Sequence, residues 1–146
     1  MISKTNIRVR YQETDQMGVV YYANYLVWFE VGRNHYFREL DFPYRDMEKA
    51  GIYIPVISAN CNYQKPARYD DLIEIQTKIT KMTSAKIWFN YEIIRGTQDT
   101  TTSGKGDRFL AKGETSHAFV NETGKPVAFK KYFPDLYNDL KNYIIT

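Results

Sequence analysis

One long helical pattern, residues 22–40, limits what this chain can fold into, because its first turns are apolar on every side. Tyr22, Leu26, Phe29, Arg33, Tyr36, Phe37 and Leu40 share one broad face, and up to Gly32 the other faces carry Val27, Trp28 and Val31. A helix that is apolar all round is expected to be buried all round. After Gly32 the pattern turns amphipathic, with Asn34, His35, Arg38 and Glu39, so the helix enters the core at its N-terminal end and emerges at its C-terminal end. Gly32 costs about 1 kcal/mol of helix propensity, which fits a site where a neighbouring backbone comes close.

The segments available to cover that helix read as strands. Residues 7–11 alternate, with Ile7, Val9 and Tyr11 on one side and Arg8 and Arg10 on the other. Further strands are expected over 54–65, 72–82, 85–95 and 109–120. The alternation is clearest where Ile73, Ile75, Thr77 and Ile79 oppose Glu74, Gln76, Lys78 and Thr80, and where Ile87, Phe89, Tyr91 and Ile93 form an inner face. Residues 12–18 and 96–107 read as loops and 121–125 as a turn. Residues 43–51 form a short helix closed by glycine, and 134–143 a terminal helix opened by proline. The 13 Tyr and 8 Phe residues favour such a sheet-rich reading. The expectation is an α+β fold, a five-stranded antiparallel sheet curled around one long central helix, in a single domain over residues 1–146.

Composition narrows the function. A net charge of +3, with no basic block longer than Lys130-Lys131, gives no footprint for nucleic acid. A mild positive balance still favours a phosphorylated small molecule. The lone cysteine, Cys61, excludes an internal disulfide and a cysteine-based zinc site. No apolar run is long enough to span a membrane and the N-terminus has no apolar signal core, so the expected location is cytoplasmic.

The chemistry concentrates between Arg10 and Glu30, in RYQETDQMGVVYYANYLVWFE. Asp15 precedes a glycine turn at Gly18, and the helix begins just after. A helix start presents free backbone N–H groups and about half a positive charge. A carboxylate beside it supplies a base or nucleophile and an oxyanion site from one short segment.

These residues resemble the hot-dog-fold acyl-CoA thioesterases of the YbgC and 4-hydroxybenzoyl-CoA type. The first match is the stretch just quoted, similar to the family's Thr/Cys-Asp pair, glycine, Val-Val, aromatic pair and Asn-Tyr. The second, YQKPARYDDLIEI from Tyr63 to Ile75, resembles its Pro-x-Arg-x-Asp corner between two strands. The resemblance implies dimers that join sheets edge to edge and often pair into tetramers, sites at the dimer interface, and no metal or redox cofactor. It places Asp15 at the catalytic aspartate and Tyr22 where a backbone N–H polarises the thioester carbonyl, with Gly18, Val19, Asn24 and Tyr25 around the substrate. Many YbgC-type members have a histidine at the position of Tyr22; a role carried by the backbone tolerates the change. The hydroxybenzoyl branch binds CoA through a basic cluster between its third and fourth strands. Here that turn reads Met82-Thr83-Ser84-Ala85 between Lys81 and Lys86, so Ser84 and Lys86, with Lys65 and Arg68, are the candidate CoA contacts.

Plainer roles compete at each position. An Asp before a helix is commonly a cap or turn residue. Glu13 reads as a solvated loop carboxylate, Glu30 and Arg33 as a helical ion pair, His35 as a surface residue, His117 as a packing or interface residue and Cys61 as a small hydrophobe. Gly104-Lys105-Gly106 lacks the spacing and the strand-to-helix setting of a phosphate loop and reads as a hairpin. A hot-dog hydratase or dehydratase is the enzymatic alternative, although its catalytic histidine has no counterpart near Asp15. A non-catalytic acyl-CoA or acyl-carrier binding module is the other.

Overall fold

The computed structural model describes residues 1–96 and 108–145. The strands are β1 (Ser3–Arg8), β2 (Val56–Tyr63), β3 (Leu72–Met82), β4 (Lys86–Arg95) and β5 (Phe109–Ala118). They form one antiparallel sheet in the order β1-β3-β4-β5-β2. The helices are α1 (Asn24–Glu39), α2 (Tyr44–Lys49), α3 (Phe129–Tyr132) and α4 (Pro134–Asn142). This is the expected hot-dog arrangement, a sheet with one long helix against a face. The expected loop 96–107, with Gly104-Lys105-Gly106, lies outside the described residues beyond Gly96.

The alternating patterns decide which side of the sheet receives α1. Ile73, Ile75, Thr77 and Ile79 of β3 and Ile87, Phe89, Tyr91 and Ile93 of β4 are all buried. From α1, Tyr25, Trp28, Phe29, Gly32, Tyr36 and Phe37 come down onto them. Phe29 stacks on Tyr91 with ring centroids 4.3 Å apart, and Phe37 meets Phe89 edge-on at 5.9 Å. The opposite face of the sheet is polar, lined by Asn60, Gln76, Lys78, Asn90 and Lys112.

Three expectations are corrected. The first strand runs Ser3–Arg8 rather than 7–11, and Tyr11, 76% exposed, opens a short 3₁₀ turn, Tyr11–Glu13. Arg8 is opposite Leu72, the first residue of β3; past it the Val9 N–H donates to the Asp71 carbonyl at 2.9 Å and the Val9 carbonyl accepts the Asp70 N–H at 3.0 Å, before the chain leaves the sheet. The buried stripe of α1 is rotated from the expected face. Tyr22 precedes the helix, and Tyr22 and Leu26 are exposed while Tyr25 and Trp28 are buried. Finally, the first turns of α1 are not covered on all sides within one chain. Val27 and Val31 keep 50% and 36% exposure, because one sheet can cover only one side of a helix. The chain also adds α3, in a stretch to which the sequence reading assigns no element.

Candidate active site

Asp15 belongs to a miniature hairpin. Thr14 pairs with Val20, the Asp15 N–H donates to the Val19 carbonyl at 2.9 Å, and the Gly18 N–H donates to the Asp15 carbonyl at 3.1 Å. Gly18 takes φ +79°, a left-handed conformation open to glycine at little cost, and the turn depends on it. The Asp15 carboxylate accepts the Met17 N–H at 2.8 Å through Oδ1. Asp15 therefore makes a turn, not a helix cap; α1 has no side-chain cap at all. Among the described residues, no protein group is bonded to Oδ2.

The helix start is prepared differently from an ordinary α-helix end. The N–H groups of Asn24, Tyr25 and Leu26 fold back onto the carbonyls of Tyr21, Tyr22 and Ala23. The Tyr21 N–H donates to the Glu13 carbonyl at 2.9 Å. Two N–H groups, those of Tyr22 and Ala23, are left without an acceptor among the described residues. They lie at the positive end of α1. The Tyr22 carbonyl is held by the Tyr63 hydroxyl, which donates to it at 2.8 Å.

Beside this start lies a mainly apolar cleft of about 300 Å³, walled by Val19, Tyr22, Tyr25 and Tyr63, with Lys65 and Pro66 at its rim. Its floor is a chain of rings: Tyr22 to Tyr63 at 6.4 Å, Tyr63 to Tyr25 at 4.9 Å and Tyr25 to Trp28 at 4.8 Å. Burial pushes the Tyr25 phenol above its ordinary range, and its hydroxyl accepts the Ala67 N–H at 3.0 Å. Burial likewise raises the Cys61 thiol, so it stays a protonated, half-buried packing residue.

The two sequence stretches that carry the family resemblance meet here. Val19 pairs with Arg68, and the Val20 N–H donates to the Ala67 carbonyl at 2.8 Å. Asp71 fixes the corner, accepting the Arg68 N–H at 2.8 Å and the Arg95 guanidinium at 3.0 Å. Val19, Tyr22 and Tyr25 line the cleft, Gly18 and Asn24 adjoin them in the chain without lining it, and Lys65 and Arg68 are exposed nearby. Ser84 and Lys86 are not. They follow the far end of β3, whose 11 residues span about 35 Å at the usual strand rise. Within one chain they cannot share a ligand with Lys65 and Arg68.

Other readings of single residues divide. His117 is fully buried, as a packing residue should be. His35 is half-buried at the helix surface and bonded to Glu39 at 2.8 Å. Arg33 does not pair with Glu30; it donates to the Tyr91 hydroxyl at 3.2 Å. Glu13 is not a solvated carboxylate but is 6% exposed, with the Trp28 indole donating to it at 2.8 Å. Sequence reasoning misses this contact because 15 residues separate the pair and no local period links them. It also gives no role to Tyr63, although that residue opens the second stretch that carries the family resemblance.

Fold and relatives together mark a hot-dog enzyme of the thioester-hydrolase class. The model of the thioesterase-like superfamily matches residues 9–138, and the chain belongs to that family. It is 42% identical over 135 residues to YneP of Bacillus subtilis, covering 92% of this chain and 91% of YneP. It is 32% identical over 137 residues to the acyl-CoA thioesterase YbgC of Haemophilus influenzae, covering 92% and 93% of the two chains. Among solved structures, a DHNA-CoA thioesterase from Staphylococcus aureus superposes with a TM-score of 0.86 at 35% identity, covering 97% of this chain and 89% of that one.

Proposed function

We propose that this protein hydrolyses an acyl-CoA thioester to the free acid and CoA. Asp15 acts as base or nucleophile, and the Tyr22 N–H holds the developing oxyanion. The observation that carries this reading is the unoccupied pair of N–H groups at Tyr22 and Ala23. They open beside an aromatic cleft, and the adjoining hairpin holds a carboxylate that spends only one oxygen on its own turn. The names of the Haemophilus and Staphylococcus relatives support the substrate class.

Two routes fit the same atoms. Asp15 takes a proton from water, which adds to the carbonyl carbon; or Asp15 itself adds, giving a mixed anhydride that water then cleaves. In both, the carbon–sulfur bond breaks and the electron pair leaves with sulfur. A thiol ionises near pH 8–9, so the leaving thiolate needs no strong acid. One well-placed oxyanion donor is worth about 3–4 kcal/mol of barrier. Neither histidine stands in the Asp15 segment, which disfavours hydratase chemistry based on histidine.

The site is completed by a second copy. The unpaired edge of β2 joins its counterpart, and Val27 and Val31 are covered there. Lys65 and Arg68 meet the CoA phosphates at the cleft rim; Ser84 and Lys86 reach the same CoA only from a neighbouring subunit. Such dimers pair further into tetramers. The setting is cytoplasmic; among the described residues no helix is long and apolar enough to cross a membrane.

Thiol release from short, long, branched and aromatic acyl-CoAs, measured on the parental chain and on Asp15→Asn, tests the reading. Asp15→Asn is expected to lose about 10²–10⁴-fold in kcat while keeping its fold. Hydrolysis by Asp15→Asn at the parental rate removes Asp15 from the mechanism. Binding of acyl-CoA without thiol release by the parental chain makes it a binding module.

A further inference from the structure

We propose that Glu13 is a positioning residue for hydrolysis, fixing the Asp15 turn against the Tyr22 helix start. The proposal rests on the roles of Asp15 and the Tyr22 N–H given above and deepens them. Glu13 is 6% exposed, and a carboxylate so placed is costly unless each oxygen finds a donor. Each does. Oε1 accepts the Arg10 N–H at 2.8 Å and faces the Arg10 Nε at 3.5 Å; Oε2 accepts the Trp28 indole N–H at 2.8 Å. These bonds to a charged acceptor are stronger and more directional than neutral ones.

The main chain of the same residue binds the other half of the site. The Glu13 carbonyl accepts the Tyr21 N–H at 2.9 Å and the Asn24 side-chain amide at 2.8 Å. Residue 13 therefore touches Arg10 just past the first strand, Tyr21 just before Tyr22, and Asn24 and Trp28 in the first turns of α1. The hairpin bearing Asp15 begins at the next residue. The Tyr21–Tyr22 peptide, which owns the oxyanion N–H, has its carbonyl held by the Asn24 N–H at 2.9 Å, and the peptide just before it is tied to Glu13 through the Tyr21 N–H. A rotation of Glu13 shifts the carboxylate and the oxyanion donor relative to each other, and misplacement of about 1 Å can cost 10²-fold in rate.

Glutamine tests this because it matches in shape and fails in bonding. It has one acceptor oxygen, while donors face both oxygens of Glu13; in either orientation its NH₂ meets an N–H. Glu13→Gln is expected to lose about 10–100-fold in kcat with KM changed less than about threefold, since substrate binding is not the loss. Trp28→Phe removes one of the opposing donors. Alone it should lower kcat about 3–10-fold; combined with Glu13→Gln it should bring kcat back to about the Trp28→Phe level. In amide NMR spectra of Glu13→Gln, the resonances of Asp15, Gly18 and Tyr22 should shift while those of β3 and β4 stay.

A merely structural Glu13 would change the melting temperature and the folded fraction, leaving kcat per folded molecule intact. Folded Glu13→Gln with parental kcat and unmoved Asp15 and Tyr22 resonances overturns the proposal. Losses that simply multiply in the double variant overturn it too. If Glu13→Gln does not fold, Trp28→Phe decides: parental kcat there is the overturning result. The two readings fail separately. Asp15→Asn at the parental rate sinks the site assignment, whereas inactive Asp15→Asn beside fully active Glu13→Gln sinks only this proposal.

Discussion

His117 is held in the core by a chain of hydrogen bonds that its neutral form satisfies. Arg33 donates to the Tyr91 hydroxyl at 3.2 Å, the Tyr91 and Thr115 hydroxyls are 2.6 Å apart, Thr115 meets Nε2 at 2.8 Å, and Nδ1 is 3.2 Å from the Ile54 carbonyl. The Ile54 oxygen can only accept, so Nδ1 carries the proton and Nε2 accepts from Thr115. Burial, then the nearby Arg33 charge, lower the His117 pKa to about 4 from its ordinary 6.5. Between those values the unfolded chain takes a proton that the folded chain refuses. Stability is therefore complete above about pH 6.5 and falls as the pH drops toward 4, below which the folded state protonates too. Urea unfolding at pH 7 and pH 4.5 should show a loss on the order of 2 kcal/mol from this group. His117→Gln should flatten that part of the slope; an unchanged slope rules His117 out as its source. A packing role for His117 is readable from its place on a strand. The chain of partners is not, since it joins α1, β4, β5 and the segment before β2.

At the scale of elements, Gly32 decides how α1 sits. A Cβ there would collide with Thr77 Oγ1 and come within 2.9 Å of Ile75 Cγ2. The close approach expected from the sequence exists, but the neighbours are side chains of β3 rather than a backbone. Gly32→Ala gains about 1 kcal/mol in helix propensity yet overpacks a close-fitted contact, for a net loss of about 1–2 kcal/mol. Thermal or urea unfolding measures it, and a stabilised Gly32→Ala would mean that the sheet yields at Thr77. The helix itself was legible from its period. Its rotation was not: Leu26 and Val27 are more apolar than Tyr25 and Trp28 yet are the exposed pair, and only the position of the sheet decides which of them is buried. The strands were more legible, because a period of two with isoleucine on one side and charge on the other leaves one choice of face.

At the scale of the whole molecule, β2 is the informative element. It is an edge strand, exposed on both faces for most of its length, with Val56 and Ile57 about half exposed. Natural edges of this kind are usually blunted by lysine or proline, and β2 has neither. The proposed dimer uses that edge. Ile57→Lys should shift the chain toward monomer in light scattering and reduce thiol release in parallel. A dimer that persists in Ile57→Lys with full activity would place the contact elsewhere.

The chain's own order of residues was enough for the α+β class, for the faces of β3 and β4, and for the two stretches that mark the family, because these depend on periods and spacings within a few residues. Only the folded molecule decided that Glu13 is buried, that Val19 and Arg68 are neighbours, and that Ser84 lies a strand's length from Lys65. A local pattern selects which side of an element turns inward. How deep a side chain goes, and what it meets there, depends on segments that arrive from distant parts of the chain.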